Sequence, residues 1–539
     1  MNRVAAAVLI AFSTTGAAFA QDASAPATSA AVGAAAHGPA YNLQADVERV
    51  MKEFDVPGIA IAVVKDGKVL TTQGFGVRKR GEPAKVDGKT IFEIASNSKA
   101  FTAAALGMLV DQGKLSWDDP VIKHLPDFRM YDAYVTAEMT VRDLLTHRSG
   151  LGLGAGDLMW WPTTTFSSDE IIHNLRYIKP ATSFRSSYAY DNLLYIVAGK
   201  IIAAKSGKTW GETMHEWILS PVGMANTTTS LEESAKFANV SAPHSKINGK
   251  AVPVKPMPVA NAVGAVGINT SAEDIARWMN VLLENGKVAD GKRLWSDKQA
   301  REMWTAQTPM TINTPRPPLA ATKPNFYAYG LGFQLRDYQG KLVAMHGGAL
   351  QGFYTRVLLV PEAKLGIAIF TNAESGPSLN ALQYRLLDQH LGVAPTDWIG
   401  RIADIDKEMQ AKEAARVKGE AASRAAQSKP SLALASYEGD YEDAWYGKMN
   451  VKRVNNKLVM SFSRTPDLSG EMEHFQHDTF IVRWKERNFN ADAYVTFSLD
   501  HDGSIERVRM KPVSTETDFS YDFQDLLFTP VKKEKEKKA

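Results

Sequence analysis

Runs of β-type residues stand at the two ends of a helix-rich stretch, and that placement restricts the fold more than any other feature of the chain. Near the start, Ile59–Val64 is apolar and β-branched. Asp66-Gly67 follows as a tight-turn pair, and Lys68–Phe75 continues as a second strand, so the pattern predicts a hairpin. Far along the chain lie Tyr329–Leu335, Leu342–His346, Phe353–Val360 and Leu365–Thr371. The last of these is apolar throughout and reads as a central strand. Helical spacing predicts helices at about 42–54, 96–112, 138–146, 190–206, 209–218, 271–285, 296–304 and 378–391. Thr270-Ser271-Ala272-Glu273 reads as a capping box for a helix over 272–283. Strands from both ends close one antiparallel sheet only if the helices pack on its faces or form an insertion. The expected class is therefore α/β (α+β), an antiparallel sheet flanked by helices plus a helical subdomain.

The chain of 539 residues is too long for a single core of that kind. Residues 403–427 are rich in alanine and charge, with few large apolar side chains, and read as an exposed linker helix. Beyond Lys429-Pro430-Ser431 the pattern changes to alternation. Met449–Val454 and Lys457–Phe462 flank Asn455-Asn456, a two-residue hairpin turn. Phe480–Trp484, Tyr494–Leu499 and Ile505–Met510 continue in the same style. A small all-β, barrel-like domain is expected over 431–531. The chain divides into a signal peptide at 1–20, a flexible spacer at 21–40, the mixed domain at 41–395, a helical linker at 396–430, the β domain, and a basic tail at 532–539.

The first division rests on Arg3, the short apolar run Val4–Phe12 and the small residues Ala18 and Ala20 around Phe19. The run is too short to span a membrane, so export with cleavage after the small residues is expected, to the periplasm or the medium, with no transmembrane segment afterwards. Net charge is +3, and the tail Lys532–Lys538 alone carries five positive and two negative charges. The folded part is close to neutral, which argues against nucleic acid as a partner. There is no cysteine. Disulfides, Cys-ligated zinc, iron–sulfur clusters, a cysteine nucleophile and a lipid-modified N-terminal cysteine are all excluded.

Three short motifs carry the chemistry. Ser96-Asn97-Ser98-Lys99 opens a helix, where positions i and i+3 share a face, so the Ser96 hydroxyl and the Lys99 amine meet. Such an amine, its pKa lowered by burial, takes the proton of the serine nucleophile. Tyr190-Asp191-Asn192 begins another helix. A phenol beside Lys99 is a candidate general base. The Asn192 amide can donate to a carbonyl and accept from an N–H. His346-Gly347-Gly348-Ala349 ends a strand, where glycines permit close backbone approach. The Ala349 N–H can pair with that of Ser96 as an oxyanion hole. His346 is placed to orient Tyr190 or to bind a substrate carboxylate. Each motif alone has a bland reading: an N-cap serine, a packed tyrosine, a turn with a histidine.

Taken in order, Ser96-x-x-Lys99, Tyr190-x-Asn192 and His346-Gly347-Gly348 resemble the three motifs of the serine β-lactamase and penicillin-binding protein superfamily, in its class C β-lactamase, D-Ala-D-Ala carboxypeptidase and S12 peptidase branch. Leu144–Leu151, Pro221–Met224 and Ser271–Trp278 strengthen the resemblance, which covers roughly 41–392. The C-terminal part resembles the lipocalin-like barrels that follow some S12-type domains. The resemblance implies Ser96 as the acylated nucleophile and Lys99 as its activator. It further implies Tyr190 as general base, Asn192 as the substrate-amide ligand, and Ser96 and Ala349 as oxyanion donors. It implies no metal and no organic cofactor.

Two departures bear on the substrate. His346 stands where the β-lactamases and carboxypeptidases have lysine, and an imidazole with a pKa near ~6.5 attracts a carboxylate less firmly. Asp191 adds an acidic residue beside the cleft. The expected function is an exported serine hydrolase acting through an acyl-enzyme on small peptides or amides, D-amino-acid peptides among them, or on esters. The alternatives are a class C-type β-lactamase, a penicillin-binding receptor acylated without turnover, and a non-catalytic scaffold whose β domain binds. Cell-wall peptide is a candidate partner; oligomeric state is not legible. His147 reads as structural, Trp160 and Trp161 as a cleft wall, and His474-x-x-His477 as too incomplete for a metal site.

Overall fold

The computed structural model describes residues 38–532 apart from 426. The expected signal peptide, most of the expected spacer, and the residues beyond 532 lie outside the described residues.

The hairpin forms as its residues require. Strands β1 (Gly58–Lys65) and β2 (Lys68–Gly76) are joined by Asp66 and Gly67, whose φ values of 51° and 74° match the twist of the ribbon. Later strands are β3 (Thr308–Pro309), β4 (Tyr327–Tyr329), β5 (Gln334–Tyr338), β6 (Lys341–Leu350), β7 (Phe353–Val360) and β8 (Leu365–Thr371). They complete an eight-stranded sheet in the order β2-β1-β8-β7-β6-β5-β4-β3. β1 pairs antiparallel with β8, Ile61 opposite Ile369, so the two ends of the mixed region meet inside the sheet, as its second and third strands from one edge.

Period-2 alternation gives each face its own core. Ile59, Ile61 and Val63 pack with Ile367 and Ile369 against helices α1 (Leu43–Phe54) and α5 (Gly376–Leu391). Ala60, Ala62 and Val64 face the other way, toward α4 (Ala272–Leu283). Small side chains there let α4 lie close, its Ile275 and Met279 fully buried. Helices α2 (Lys99–Asp111) and α3 (Leu193–Ser206) pack against each other, both apolar on nearly every face because both are enclosed.

Three local expectations change. The predicted helix at 138–146 is instead a short helix at Ala133–Glu138, capped by Asp132, followed by a single turn at Asp143–Leu145. The predicted strand Tyr329–Leu335 is broken into β4 and β5. Gly332 at the break has φ 80°, and a Cβ there would lie 2.8 Å from the Lys99 carbonyl oxygen, so the chain bends past the start of α2. The cap of α4 is Ser271, which accepts from the Asp274 N–H, one residue later than the Thr270 box.

The helix α6 (Trp398–Ser423) is anchored at its start by Trp398, Ile399, Ile402 and Ala403, and thereafter lies mostly exposed. Its later turns grip the C-terminal sheet: Glu413 accepts from Ser514 and Thr515, and Arg416 donates to the Val513 carbonyl. That sheet comprises β9 (Gly439–Asp443), β10 (Gly447–Val454), β11 (Lys457–Phe462), β12 (Ser469–Gln476), β13 (Thr479–Trp484), β14 (Ala493–Leu499), β15 (Ile505–Pro512) and β16 (Thr529–Pro530). They run β15-β14-β13-β12-β11-β10-β9-β16. Reciprocal bonds between Val508 and Phe528 nearly close the sheet into a barrel. Asn455 and Asn456, both at positive φ, form the two-residue turn between β10 and β11.

Candidate active site

Ser96 lies in a tight turn, Ala95–Ser98, that leads straight into α2. The residue before it, Ala95, has φ 50°, a left-handed conformation that costs a non-glycine residue roughly 1 kcal/mol or more. The surroundings hold it there. The Ser98 hydroxyl donates to the Ala95 carbonyl at 2.6 Å and accepts from the Ile268 N–H at 2.9 Å. The Asn97 amide donates to the Thr355 hydroxyl and the Ile94 carbonyl. Strand β6 completes the clamp. A Cβ on Gly348 would fall 2.1 Å from the Ile94 oxygen and 2.4 Å from the Thr355 hydroxyl, so only glycine lets β6 lie against the turn. A Cβ on Gly347 would meet nothing nearer than 3.9 Å. The close approach at Gly348 therefore serves the serine turn and brings Ala349 alongside it.

Lys99, on the first residue of α2, is fully buried, and its Nζ lies 2.9 Å from the Ser96 Oγ. It donates to the Asn192 Oδ1 at 2.7 Å and sits 4.8 Å and 5.1 Å from the ring centres of Tyr190 and Tyr195. Burial lowers the Lys99 pKa to about 7, against the opposing charges of Asp157 and Asp191. The Tyr190 phenol lies beside Ser96, but burial raises it well above 10. A phenol so held stays protonated, so Tyr190 beside Lys99 does not start as the ionised base that its place in the motif suggested.

His346 also differs from expectation. Its Nε2 is 2.8 Å from the Tyr329 hydroxyl and its Nδ1 is 2.6 Å from the Gly347 carbonyl, so it holds Tyr329 rather than Tyr190. Burial, with Lys99 adding to it, lowers His346 to about 3, which leaves it neutral. Asp191 does not face the cleft. It is completely buried, accepts from the Leu194 N–H at the start of α3, and lies 3.6 Å from His147. His147 accepts from the Asp191 N–H and packs among the rings of Tyr188, Tyr190, Tyr195 and Tyr329. It is a structural centre, as its position implied.

All three motifs thus converge on one place. The structure adds residues that no motif flagged. Asp157 is fully buried and accepts from the Asn192 Nδ2 at 2.8 Å. Phe519 of the C-terminal domain stands edge-on to Tyr190, with ring centres 5.8 Å apart. Glycines at 152, 154 and 156 are the signal in the sequence that could have flagged the loop of Asp157; nothing in the alternating C-terminal pattern marks Phe519. A recess of about 840 Å³ opens beside Leu350 between the two domains, and its lining includes Trp161, Tyr354, Glu374, Asp518 and Tyr521. Trp160 packs inward and donates to Asp157. His474 donates to or accepts nothing from a metal-type cluster: its Nε2 lies 2.9 Å from the His477 carbonyl, and no group of three or more His, Cys, Asp or Glu among the described residues is placed to hold a metal.

Comparison with known proteins agrees with this geometry. A family model described as Beta-lactamase matches residues 43–391, and one described as a domain of unknown function (DUF3471) matches 423–530. An unguisins hydrolase of Aspergillus campestris (strain IBT 28561) is 30% identical over 485 residues, covering 86% of this chain and 87% of the relative. The octameric penicillin-binding protein homologue from Pyrococcus abyssi superposes with a TM-score of 0.56 at 23% identity, over 90% of this chain and 99% of that one. A class C β-lactamase from Rhodobacter sphaeroides gives 0.52 at 20% identity, over 65% of this chain and 99% of that one. The chain belongs to the Beta-lactamase family, as a serine hydrolase with an additional barrel-like C-terminal domain.

Proposed function

We propose that the chain is an exported hydrolase of small peptides, amides or esters that works through an acyl-enzyme on Ser96. The observation that carries this reading is the buried Lys99 amine, 2.9 Å from the Ser96 Oγ, with its pKa brought down to about 7. A neutral amine takes the hydroxyl proton as Oγ bonds to the substrate carbonyl carbon. The carbonyl electron pair moves onto oxygen, facing the N–H groups of Ser96 and Ala349. Collapse of that intermediate breaks the bond to the leaving amine or alkoxide, which receives the proton from Lys99 through the Tyr190 hydroxyl. Water then attacks the ester by the same route in reverse order and frees Ser96. Tyr190 acts as a protonated relay, because burial keeps its phenol intact. Asn192 holds the substrate amide, and no metal or organic cofactor enters the scheme.

Two features favour peptides and esters over β-lactams. His346 is neutral and bonded to Tyr329, so it offers a substrate carboxylate no charge. The neighbouring recess is lined by six carboxyl groups, Glu374 and Asp518 among them, against the three cations Lys246, Arg483 and Arg487. Burial raises both Glu374 and Asp518, with Asp518 adding to the effect at Glu374, so a further carboxylate is disfavoured there. The fungal relative is named as a hydrolase of unguisins, and a hydrolytic activity of this chain fits that name.

The test is an intact-mass time course with a penicillin and with an activated ester, comparing the chain with its Ser96→Ala variant. A Ser96-dependent adduct or Ser96-dependent loss of ester is expected. A lasting penicillin adduct with no ester turnover would instead support a receptor, and rapid penicillin loss a β-lactamase. Ester turnover equal in Ser96→Ala would end the proposal. Export is checked by fractionating expressing cells and reading the N-terminus of the mature chain, with cleavage after Ala20 expected.

A further inference from the structure

The C-terminal domain reaches the catalytic centre through one short segment, 518–522, between β15 and β16. The Asp522 carboxylate accepts from the Gly156 N–H at 2.6 Å and the Leu158 N–H at 3.1 Å, so it grips the backbone on both sides of Asp157. The Ser520 hydroxyl donates to the Asp157 Oδ2 at 2.8 Å. Phe519 fits over Gly154, where a Cβ would lie 2.7 Å from its ring, and Tyr521 stands edge-on to Trp161. Asp157 itself accepts from Trp160 Nε1 at 2.8 Å and from Asn192 Nδ2 at 2.8 Å. Asp157, Ser520, Tyr521, Asp522 and Trp161 are all buried, while Phe519 keeps part of its ring exposed.

An amide side chain can turn over and exchange its donor and acceptor ends. Burial raises the Asp157 carboxyl to about 7, against the hydrogen bonds from Trp160, Asn192 and Ser520. With Trp160 and Ser520 already donating to it, Asp157 is held as an acceptor and faces the Nδ2 of Asn192. That leaves Oδ1 directed at Lys99, where it lies 2.7 Å from Nζ. Turned over, Asn192 would set its NH₂ against the ammonium or amine of Lys99 and its oxygen against a carboxylate. The orientation of Asn192 therefore depends on where Asp157 is held, and Asp157 is held from the other domain.

We propose that Asp157 is a positioning residue, fixed by Ser520 and Asp522 of the C-terminal domain, that orients the Asn192 amide on Lys99 and so makes acylation of Ser96 depend on docking of the β domain. The proposal rests on the acyl-enzyme reading for its rate effect, and on geometry alone for the link between the domains.

The test uses the full chain and two readouts. The first is the rate at which a fluorophosphonate labels Ser96, followed by intact mass. Ser520→Ala is expected to slow labelling about tenfold, the loss of one hydrogen bond to a charged group. Ser520→Thr, which keeps the hydroxyl, is expected to restore most of the rate. Arg464→Ala is the control. It removes a different contact between the domains, the ion pair with Glu170, away from the site, and is expected to label within about twofold of wild type. The second readout is backbone amide exchange. Ser520→Ala is expected to lose protection at 154–160 and 190–194, and Arg464→Ala is not. Wild-type labelling in Ser520→Ala, equal slowing in Arg464→Ala, or no rescue by threonine would each overturn the proposal. If the wild-type chain does not label, the acyl-enzyme reading fails. The exchange arm then decides alone: lost protection at 190–194 upholds the link, and unchanged protection overturns it.

Discussion

Acid should silence Ser96, with a midpoint set by one amine. Lys99 would ordinarily titrate at 10.5, and burial brings it to about 7 although Asp157 and Asp191 oppose the change. The gap between those values corresponds to ~5 kcal/mol of preference for the neutral amine. At pH 7 about half the molecules then carry a neutral Lys99, compared with roughly one in 3,000 for an exposed lysine. Acylation needs the neutral form, because only that form accepts the Ser96 proton. Lowering the pH through 7 protonates it, so the rate should fall about tenfold per pH unit and stand ~100-fold below its plateau at pH 5. Asp157, which burial raises to about 7, titrates in the same window, so the limb is assigned to Lys99 by its loss in Lys99→Met. His346 is neutral from about 3 upward, and Tyr190 stays protonated beyond 10. The assay is the burst phase of p-nitrophenyl acetate cleavage from pH 5 to 9, using pH jumps from neutral buffer, with Ser96→Ala subtracted as background. Lys99→Met should lose at least ~10³ in rate and lose the limb. A wild-type limb centred at pH 9 or above, or a flat profile, would refute the argument that desolvation makes Lys99 the proton acceptor.

Three further outcomes are expected. Tyr190→Phe keeps the ring packed on His147 and removes the relay, so both acylation and deacylation should slow by ~10²-fold, read as burst and steady-state rates on the same ester. Gly348→Ala forces a Cβ into the Ile94 carbonyl and should cost ~2 kcal/mol of stability as well as most activity, whereas Gly347→Ala has room and should unfold in urea within ~0.5 kcal/mol of wild type. Asp46→Asn leaves the buried Arg385 guanidinium, now bound at 2.8 Å, without its counter-charge and should cost ~3 kcal/mol in urea unfolding, the same as wild type being the refuting result.

Much of the site was legible because its parts are local. Ser96 and Lys99 meet through helix geometry alone. The helix start at Asn192 could be read from hydrophobic periodicity, and the order of the three motifs pointed to the family. The strand expected to end at His346 instead runs on to Leu350, because Gly347–Leu350 stay paired with β7. The errors were also physical in origin. The helix expected at 138–146 yielded to Thr140 and Asp143, which bond each other and the local backbone instead. Asp191 read as a cleft charge because a sequence does not say which way a side chain turns, and here it turns inward to the start of α3.

What the sequence determined by itself is therefore the periodicity of the elements, the Ser96–Lys99 contact, and the closure of one sheet by the two ends of the mixed region. Only the tertiary structure decided the protonation states and the reach of the C-terminal domain. Lys99, Tyr190 and His346 owe their altered titration to desolvation, which depends on everything packed over them rather than on their neighbours in the chain. Ser520 meets Asp157 across 363 positions of sequence. No local pattern encodes such a contact, because it exists only once the 518–522 segment of the C-terminal domain lies against the loop that carries Asp157.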